Sequence, residues 1–170
     1  MKPGRYLFIS MLLVGALGSP PAQSQEVKAG DLVISQPWSR AAPHGAETAS
    51  SYLTIENKGA AADRLVGAST DAAEKIQIEQ ISMVGGGMQL KPVTGGLAIG
   101  PGEKLVLAPG GNRLGLLKLK SALKKGSKVS MTLAFEKAGQ VAVSFDVLSP
   151  AAKGPAAPKA SPADDGKMKK

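Results

Sequence analysis

Cysteine is absent from this sequence of 170 residues. This absence excludes a disulfide framework, a thiolate metal site and thiol catalysis, and we expect no lipoprotein anchor, because such an anchor needs a cysteine at the cleavage site.

Histidine occurs once, at His44, in a segment typical of a loop, and no nucleophile-elbow or phosphate-loop spacing is present. We therefore predict that the protein is not an enzyme. His44 is a weak candidate metal ligand, since one imidazole rarely makes a site by itself.

The N-terminal end has the three parts of a secretory signal peptide. Lys2 and Arg5 provide the positive region, residues 6–17 form an apolar run, and Ala22-Gln23-Ser24 places small residues where a signal peptidase cleaves. A membrane-spanning helix needs about 20 apolar residues, and this run is shorter. We predict that residues 1–24 are a signal peptide, that the mature protein is periplasmic and that it has no transmembrane segment.

The C-terminal end, residues 149–170, is rich in Pro, Ala, Lys and Ser and has no apolar periodicity. Such a composition buries too little surface to offset the entropy of ordering, so we predict a disordered basic tail. The chain has a formal net charge of +8, and the two ends supply much of it. The domain between them lacks the basic face that nucleic acid requires, so we expect no nucleic-acid partner. The tail is either simply solvated or adheres weakly to anionic envelope surfaces.

Residues 25–148 make up one domain in which the apolar segments are short and often alternate with polar residues. Gly- and Pro-containing turns separate these segments, for example Gly85-Gly86-Gly87 and Pro109-Gly110-Gly111. Many short strands between such turns favour an antiparallel sandwich or barrel. One helical turn is expected at residues 71–74. Strands are predicted at residues 51–57, 64–68, 75–81, 104–107, 114–119, 128–135 and 141–147.

Methionines are the soft metal donors that remain in a chain without cysteine. Cu(I) suits thioether and imidazole ligands. Met131 lies in a strand pattern and is expected in the core. Met83 and Met88 flank the glycine turn, so a hairpin would bring them towards each other. Two thioethers without a third donor make a weak candidate metal site.

Five motifs follow one another along the domain: PWSR at residues 37–40, SYLTIENKG at 51–59, DRLVGA at 63–68, PGG at 109–111 and LAFEKAG at 133–139. This ordered series resembles the periplasmic copper chaperones of the PCuAC type over roughly residues 31–147. The resemblance implies an all-β fold, a cupredoxin-like antiparallel β-sandwich of Greek-key type. It also implies delivery of Cu(I) to a respiratory oxidase, with an oxidase subunit or its assembly factors as partners.

The same resemblance implies a copper site of two His and two Met, whose positions correspond here to Glu79, Leu90, Arg113 and Gly115. Leu and Gly offer no side-chain donor, and Arg carries a permanent positive charge that repels a cation. A single carboxylate is a hard ligand that suits Cu(I) poorly. We therefore expect that the usual Cu(I) ligands are replaced in this chain.

The replacements predict a contact between two charged side chains. Because the family's two His ligands converge on one metal, Glu79 and Arg113 should lie close in space, and we predict a salt bridge between them. At a partly exposed site such a bridge contributes about 0–1 kcal/mol; the alternative is that both side chains point to solvent.

Two functions stay open. One is a copper chaperone that uses Met83, Met88 or His44, and the other is a metal-free protein-binding or assembly module on the same fold.

Overall fold

The computed structural model describes residues 26–155, in which all regular secondary structure is β-strand. No helix in this part of the chain is long and apolar enough to cross a membrane. The predicted signal peptide and residues 156–170 of the predicted tail lie outside the described residues. In chain order the strands are β1 Glu26–Ala29, β2 Leu32–Arg40, β3 Thr48–Asn57, β4 Asp63–Ser69, β5 Ala73–Val84, β6 Gly87–Pro92, β7 Leu97–Ile99, β8 Lys104–Leu107, β9 Asn112–Leu119, β10 Lys128–Phe135 and β11 Gly139–Leu148.

Alternation of buried and exposed residues explains why these segments form strands. Along β10, every second side chain from Val129 to Phe135 is buried, and β11 continues the pattern through Val143, Phe145 and Val147. This period of two matches the geometry of a strand with one face on the core. Met131 is 1% exposed in the middle of β10, so its predicted place in the core is confirmed.

The strands hydrogen-bond in the order β6-β5-β9-β8-β3-β2-β11-β10-β4-β7, and β1 pairs with β2. Strands β4 and β5 are far apart in this order but pack near each other, which shows that the sheet folds over on itself. One hydrophobic core lies between the two halves. The predicted all-β sandwich is therefore confirmed, with two departures from a purely antiparallel arrangement: β2 with β11 and β8 with β9 pair in parallel.

The helical turn expected at residues 71–74 does not form. Asp71 and Ala72 make a tight turn, and strand β5 already begins at Ala73. Ala73 is 3% exposed and pairs with Leu119 of β9. Burial and backbone pairing therefore favour a strand here, and they outweigh the helix propensity of the alanines.

A β-bulge in β2 decides which face of the sheet carries the tryptophan. The register between β2 and β3 shifts between Ser35 and Trp38, and Gln36 adopts a positive φ of 52° there. The extra residue reverses the alternation of side chains, so Trp38 leaves the core face and pairs with Tyr52. Both aromatic side chains lie outside the main core cluster, on the outer face of the sheet.

Candidate functional site

Neighbouring strands β6, β5 and β9 bring together the four residues that the sequence predicts to stand at replaced copper-ligand positions. Glu79 of β5 pairs with Arg113 of β9, and Gly115 lies two residues further along β9. The intervening Ile78 and Leu114 also pair and are buried in the core. Because side chains alternate between the faces of a strand, Glu79, Arg113 and Gly115 share the outer face of the sheet.

Leu90 of β6 belongs to the same face. It pairs with Ile81 of β5, and Pro92 pairs with Glu79. Leu90 is therefore a diagonal neighbour of Glu79, within the range over which cross-strand side chains interact. Its side chain is 49% exposed, so the site is open to solvent on the β6 side.

The predicted salt bridge between Glu79 and Arg113 is confirmed. The Nε atom of Arg113 donates a hydrogen bond of 2.8 Å to Oε2 of Glu79. The Glu79 side chain is only 12% exposed and that of Arg113 is 25% exposed. The pair is thus less exposed than the sequence suggested, and the two opposite charges compensate each other.

Gly115 provides the space that this ion pair occupies. A Cβ atom at Gly115 would lie 2.7 Å from the carboxylate carbon of Glu79 and 2.7 Å from Oε2. Real Cβ atoms essentially never approach other heavy atoms so closely. The Glu79 carboxylate therefore fills the volume that a longer side chain would need at this position.

An aromatic pair on strands β2 and β3 lies on the same outer face as the ion pair. The rings of Trp38 and Tyr52 are tilted, with centroids 4.5 Å apart, a favourable aromatic contact. The β3–β9 ladder ends with Ser51 opposite Leu114, so Tyr52 and Arg113 are the next residues on these strands and share the outer face. The sequence analysis noted both aromatic residues within motifs but did not assign them to the site.

Arg40 lies beside the aromatic pair on the outer face. Its guanidinium lies 5.7 Å from the Tyr52 ring centroid, within cation–π range. Its Nε atom donates a hydrogen bond of 3.2 Å to the carbonyl oxygen of Ala152. The chain beyond β11 is thereby held beside the aromatic pair as far as the described residues extend.

Met83 and Met88 form a cross-strand pair in the β5–β6 hairpin, as the glycine turn between them predicted. Their exposures are 70% and 68%. Met83 lies four residues beyond Glu79 on β5, so the register places the methionine pair on the same outer face. Together with Leu90, the pair forms an apolar extension of the site towards the tip of the hairpin.

His44 does not join these methionines. It lies in an exposed turn between β2 and β3, next to the start of β3 at Thr48. Thr48 pairs with Leu117, which in turn pairs with Lys75 of β5. From Lys75 to Met83 the strand extends about 26 Å. The three weak candidate ligands therefore do not converge on one ion.

The residues at the family positions do not fit a Cu(I) site. Within residues 26–155, no group of three or more His, Cys, Asp or Glu side chains could hold a metal ion. The one carboxylate, Glu79, already accepts a hydrogen bond from a permanent cation. Leu90 and Gly115 contribute no donor, so the four positions offer Cu(I) neither soft ligands nor a negative field.

Solved structures with the same fold include copper-chaperone domains. The chain is 27% identical to the copper-bound PCuAC domain from PmoF2, with a TM-score of 0.62, and the match covers 74% of this chain and 99% of that domain. It is 32% identical to the apo PCuAC domain from PmoF1, with a TM-score of 0.63 and coverages of 74% and 100%. For apo-DR1885 from Deinococcus radiodurans, the identity is 25%, the TM-score 0.56 and the coverages 86% and 96%. These matches confirm the cupredoxin-like β-sandwich.

A curated relative and a family model identify the sequence family. The relative, "Putative lipoprotein Lxx21020" of Leifsonia xyli subsp. xyli (strain CTCB07), is 30% identical over 132 residues, which are 75% of this chain and 78% of the relative. The family model, described as "Putative lipoprotein LpqE-like", matches residues 32–147. That range begins at the first residue of β2 and ends within β11, so it includes the ion pair and the methionine hairpin. The chain belongs to the LpqE-like family.

Proposed function

We propose that this protein acts in the periplasm in copper handling, and that it contributes to the delivery of copper to a respiratory oxidase or to the assembly of that oxidase. The observation that carries the proposal is the similarity to a copper-bound PCuAC domain over 99% of that domain's length. The signal-peptide pattern of residues 1–24 supports export from the cytoplasm. The proposed partner is an oxidase subunit or one of its assembly factors.

The proposal does not use copper at the four family positions. The Glu79–Arg113 ion pair occupies that part of the outer face, and separating the pair would leave a largely buried charge without a partner, which is costly. A metal ion at these positions would have to displace the ion pair and would gain no soft ligand in return.

A second candidate function follows from the same ion pair. The domain would be a metal-free module that binds a protein partner through the PCuAC-like fold. The apolar side chains on the β5–β6 hairpin favour this alternative, because Met83, Met88 and Leu90 are 70%, 68% and 49% exposed. Exposed apolar groups that lie together are typical of interaction surfaces.

The replaced ligands can be tested by titrating the exported chain with Cu(I) against a chromophoric competing chelator. We expect no stoichiometric binding tighter than about 1 μM, or about −8 kcal/mol. A variant that combines Glu79→His, Leu90→Met, Arg113→His and Gly115→Met restores the family ligands and should bind one Cu(I) at least about a hundredfold more tightly. Tight binding by the wild-type chain that disappears in Glu79→Gln would overturn the assignment of these positions.

The role in oxidase assembly needs a cellular measurement. In the native host under copper limitation, deletion of the gene should lower the copper content and activity of the respiratory oxidase per oxidase polypeptide. The wild-type gene should restore both. Unchanged copper content and activity in the deletion strain would refute the proposed function for either candidate mechanism.

A further inference from the structure

We propose that Met83 and Met88 form a Cu(I) site away from the four family positions, a thioether pair on the outer face of the β5–β6 hairpin. This inference rests on the proposed role in copper handling and specifies where the cargo binds. It assigns the ion to neutral soft donors away from the Glu79–Arg113 pair. Thioether sulfur is among the ligands that select Cu(I).

The turn at the tip of the hairpin sets the two sulfur-bearing side chains opposite each other. Gly85 and Gly86 have φ angles of +60° and +82°, and positive φ at both central residues is the mark of a type I′ turn. A two-residue turn of this type fixes Val84 opposite Gly87 and therefore Met83 opposite Met88, the register observed. Other residue types rarely adopt these φ values, so the glycines specify the pairing.

The pairing position also favours close approach of the side chains. In a two-residue hairpin, the pair beside the turn is the hydrogen-bonded one, and the next pair is non-hydrogen-bonded. Residues in a non-hydrogen-bonded pair have Cα atoms about 4.5 Å apart, and their side chains stand closest. Methionine has three rotatable side-chain bonds, so the two sulfur atoms of Met83 and Met88 can converge on one ion.

Exposure and charge are compatible with an ion at this position. Both methionines are about two-thirds exposed, at 70% and 68%, so binding requires no opening of the core. Arg113, a cationic side chain on this face, is paired with Glu79. The register places Lys91, opposite Gln80, on the other face of the hairpin.

Two protein ligands leave the coordination sphere of Cu(I) incomplete. Solvent or donors from a partner protein can fill the remaining positions without displacing Met83 or Met88 first. The position at the exposed tip of the hairpin gives such a partner access. These properties suit transfer of the ion, and they predict an affinity weaker than that of a complete two-His, two-Met site.

The first test uses the exported chain labelled with ¹³C at the methionine methyl groups and titrated anaerobically with Cu(I). Both the Met83 and Met88 methyl signals should shift together and saturate near one equivalent, while buried Met131 stays unchanged. Replacement of Met83 by Leu should remove most of the shift at Met88. Signals that do not move, or that move independently of each other, would overturn the site.

The second test separates sulfur ligation from apolar docking. Met83→Leu and Met88→Leu keep the apolar surface but remove a donor, so each should weaken Cu(I) binding at least about tenfold, and the double variant should abolish it. Leu90→Ala is the matched control: it removes apolar area from the same face and should change the affinity less than about twofold. Met168 lies in the predicted tail, so Met168→Leu should leave the Cu(I) affinity unchanged; loss of binding in this variant would overturn the hairpin site.

The outcomes distinguish this site from the broader proposal. If Cu(I) binding survives in the Met83→Leu/Met88→Leu chain, the site is wrong, whereas an oxidase defect in the deletion strain would still support the copper-handling role. If the double variant loses Cu(I) binding but restores the oxidase as well as wild type does, the methionine pair is not the functional cargo site. Loss of both binding and complementation is the result expected here.

Discussion

At the scale of single residues, Glu79, Arg113 and Gly115 form one packed arrangement on the outer face of the sheet. Both side chains are more than two-thirds buried and form a hydrogen-bonded ion pair of 2.8 Å. Gly115 makes the arrangement possible because it leaves space for the Glu79 carboxylate. The three residues are therefore structurally coupled: Gly115 leaves room for the Glu79 carboxylate, and Glu79 compensates the charge of Arg113.

This coupling predicts the effect of removing one charge. Arg113→Ala should lower the free energy of unfolding by roughly 1–3 kcal/mol, between the values for exposed and fully buried ion pairs. Arg113→Lys keeps the charge but loses the planar guanidinium, and it should cost less. Urea unfolding at pH 7 measures both variants. A change below about 0.5 kcal/mol for Arg113→Ala would show that the ion pair does not contribute to stability.

At the scale of secondary-structure elements, glycines determine where strands can turn and pass close to one another. The Gly95-Gly96 turn between β6 and β7 contains two residues with positive φ, 89° and 79°. Their surroundings differ. A Cβ atom at Gly96 would overlap the backbone oxygen of Leu65 in β4, whereas a Cβ atom at Gly95 would lie 4.0 Å from its nearest neighbour, Nη1 of the flexible Arg64 side chain.

The two neighbouring glycines therefore form a matched pair for mutation. Gly95→Ala should cost about 1–2 kcal/mol, the strain of placing a Cβ in the left-handed region. Gly96→Ala meets backbone in addition to that strain and should cost clearly more, roughly 3 kcal/mol or above. Thermal or urea unfolding of both variants tests this. Equal losses of stability would mean that the β4 backbone yields to the added methyl group.

At the scale of the whole molecule, Asp63 links distant parts of the sheet. It is 8% exposed at the start of β4, and its carboxylate accepts backbone hydrogen bonds from Arg64, Lys137 and Ala138 at 2.7, 2.9 and 3.0 Å. Burial alone raises the pKa of Asp63, but these three hydrogen bonds and the Lys137 charge outweigh it, so the pKa is lowered. The hydrogen bonds to Asp63 thus connect the β10–β11 turn to β4.

The lowered pKa predicts how acid affects stability. In acid the unfolded chain takes up a proton at Asp63 before the folded chain does, so the stabilisation is complete above the ordinary aspartate pKa of about 3.9 and is lost below it. Asp63→Asn should lower the free energy of unfolding by roughly 1–3 kcal/mol at pH 7. The difference from wild type should shrink as the pH falls below about 3.9. Urea unfolding of both proteins from pH 7 to pH 3 measures this stability difference. A difference that stays constant over this range would show that the Asp63 carboxylate is not its source.

Strands β10 and β11 were predicted because buried and exposed residues alternate along them, whereas β2 and β6 lack such an alternation and were not predicted. Alternation identified β10 and β11 because each has one face on the core. Strand β2 was missed because a bulge at Gln36 and the following Pro37 interrupt its alternation. Strand β6 was missed because all six of its residues are exposed, so burial leaves no pattern in its sequence.

The amino-acid sequence by itself determined the all-β class and the glycine turn that pairs Met83 with Met88, because turn geometry and the alternation of side chains are local properties. Tertiary structure alone decided that the Glu79–Arg113 pair is largely buried, that its carboxylate stands over Gly115, and that Trp38 packs against Tyr52 on the same outer face. These contacts join strands far apart in the chain. Their geometry depends on sheet register and on one bulge, and a residue pattern read along the chain does not contain that information.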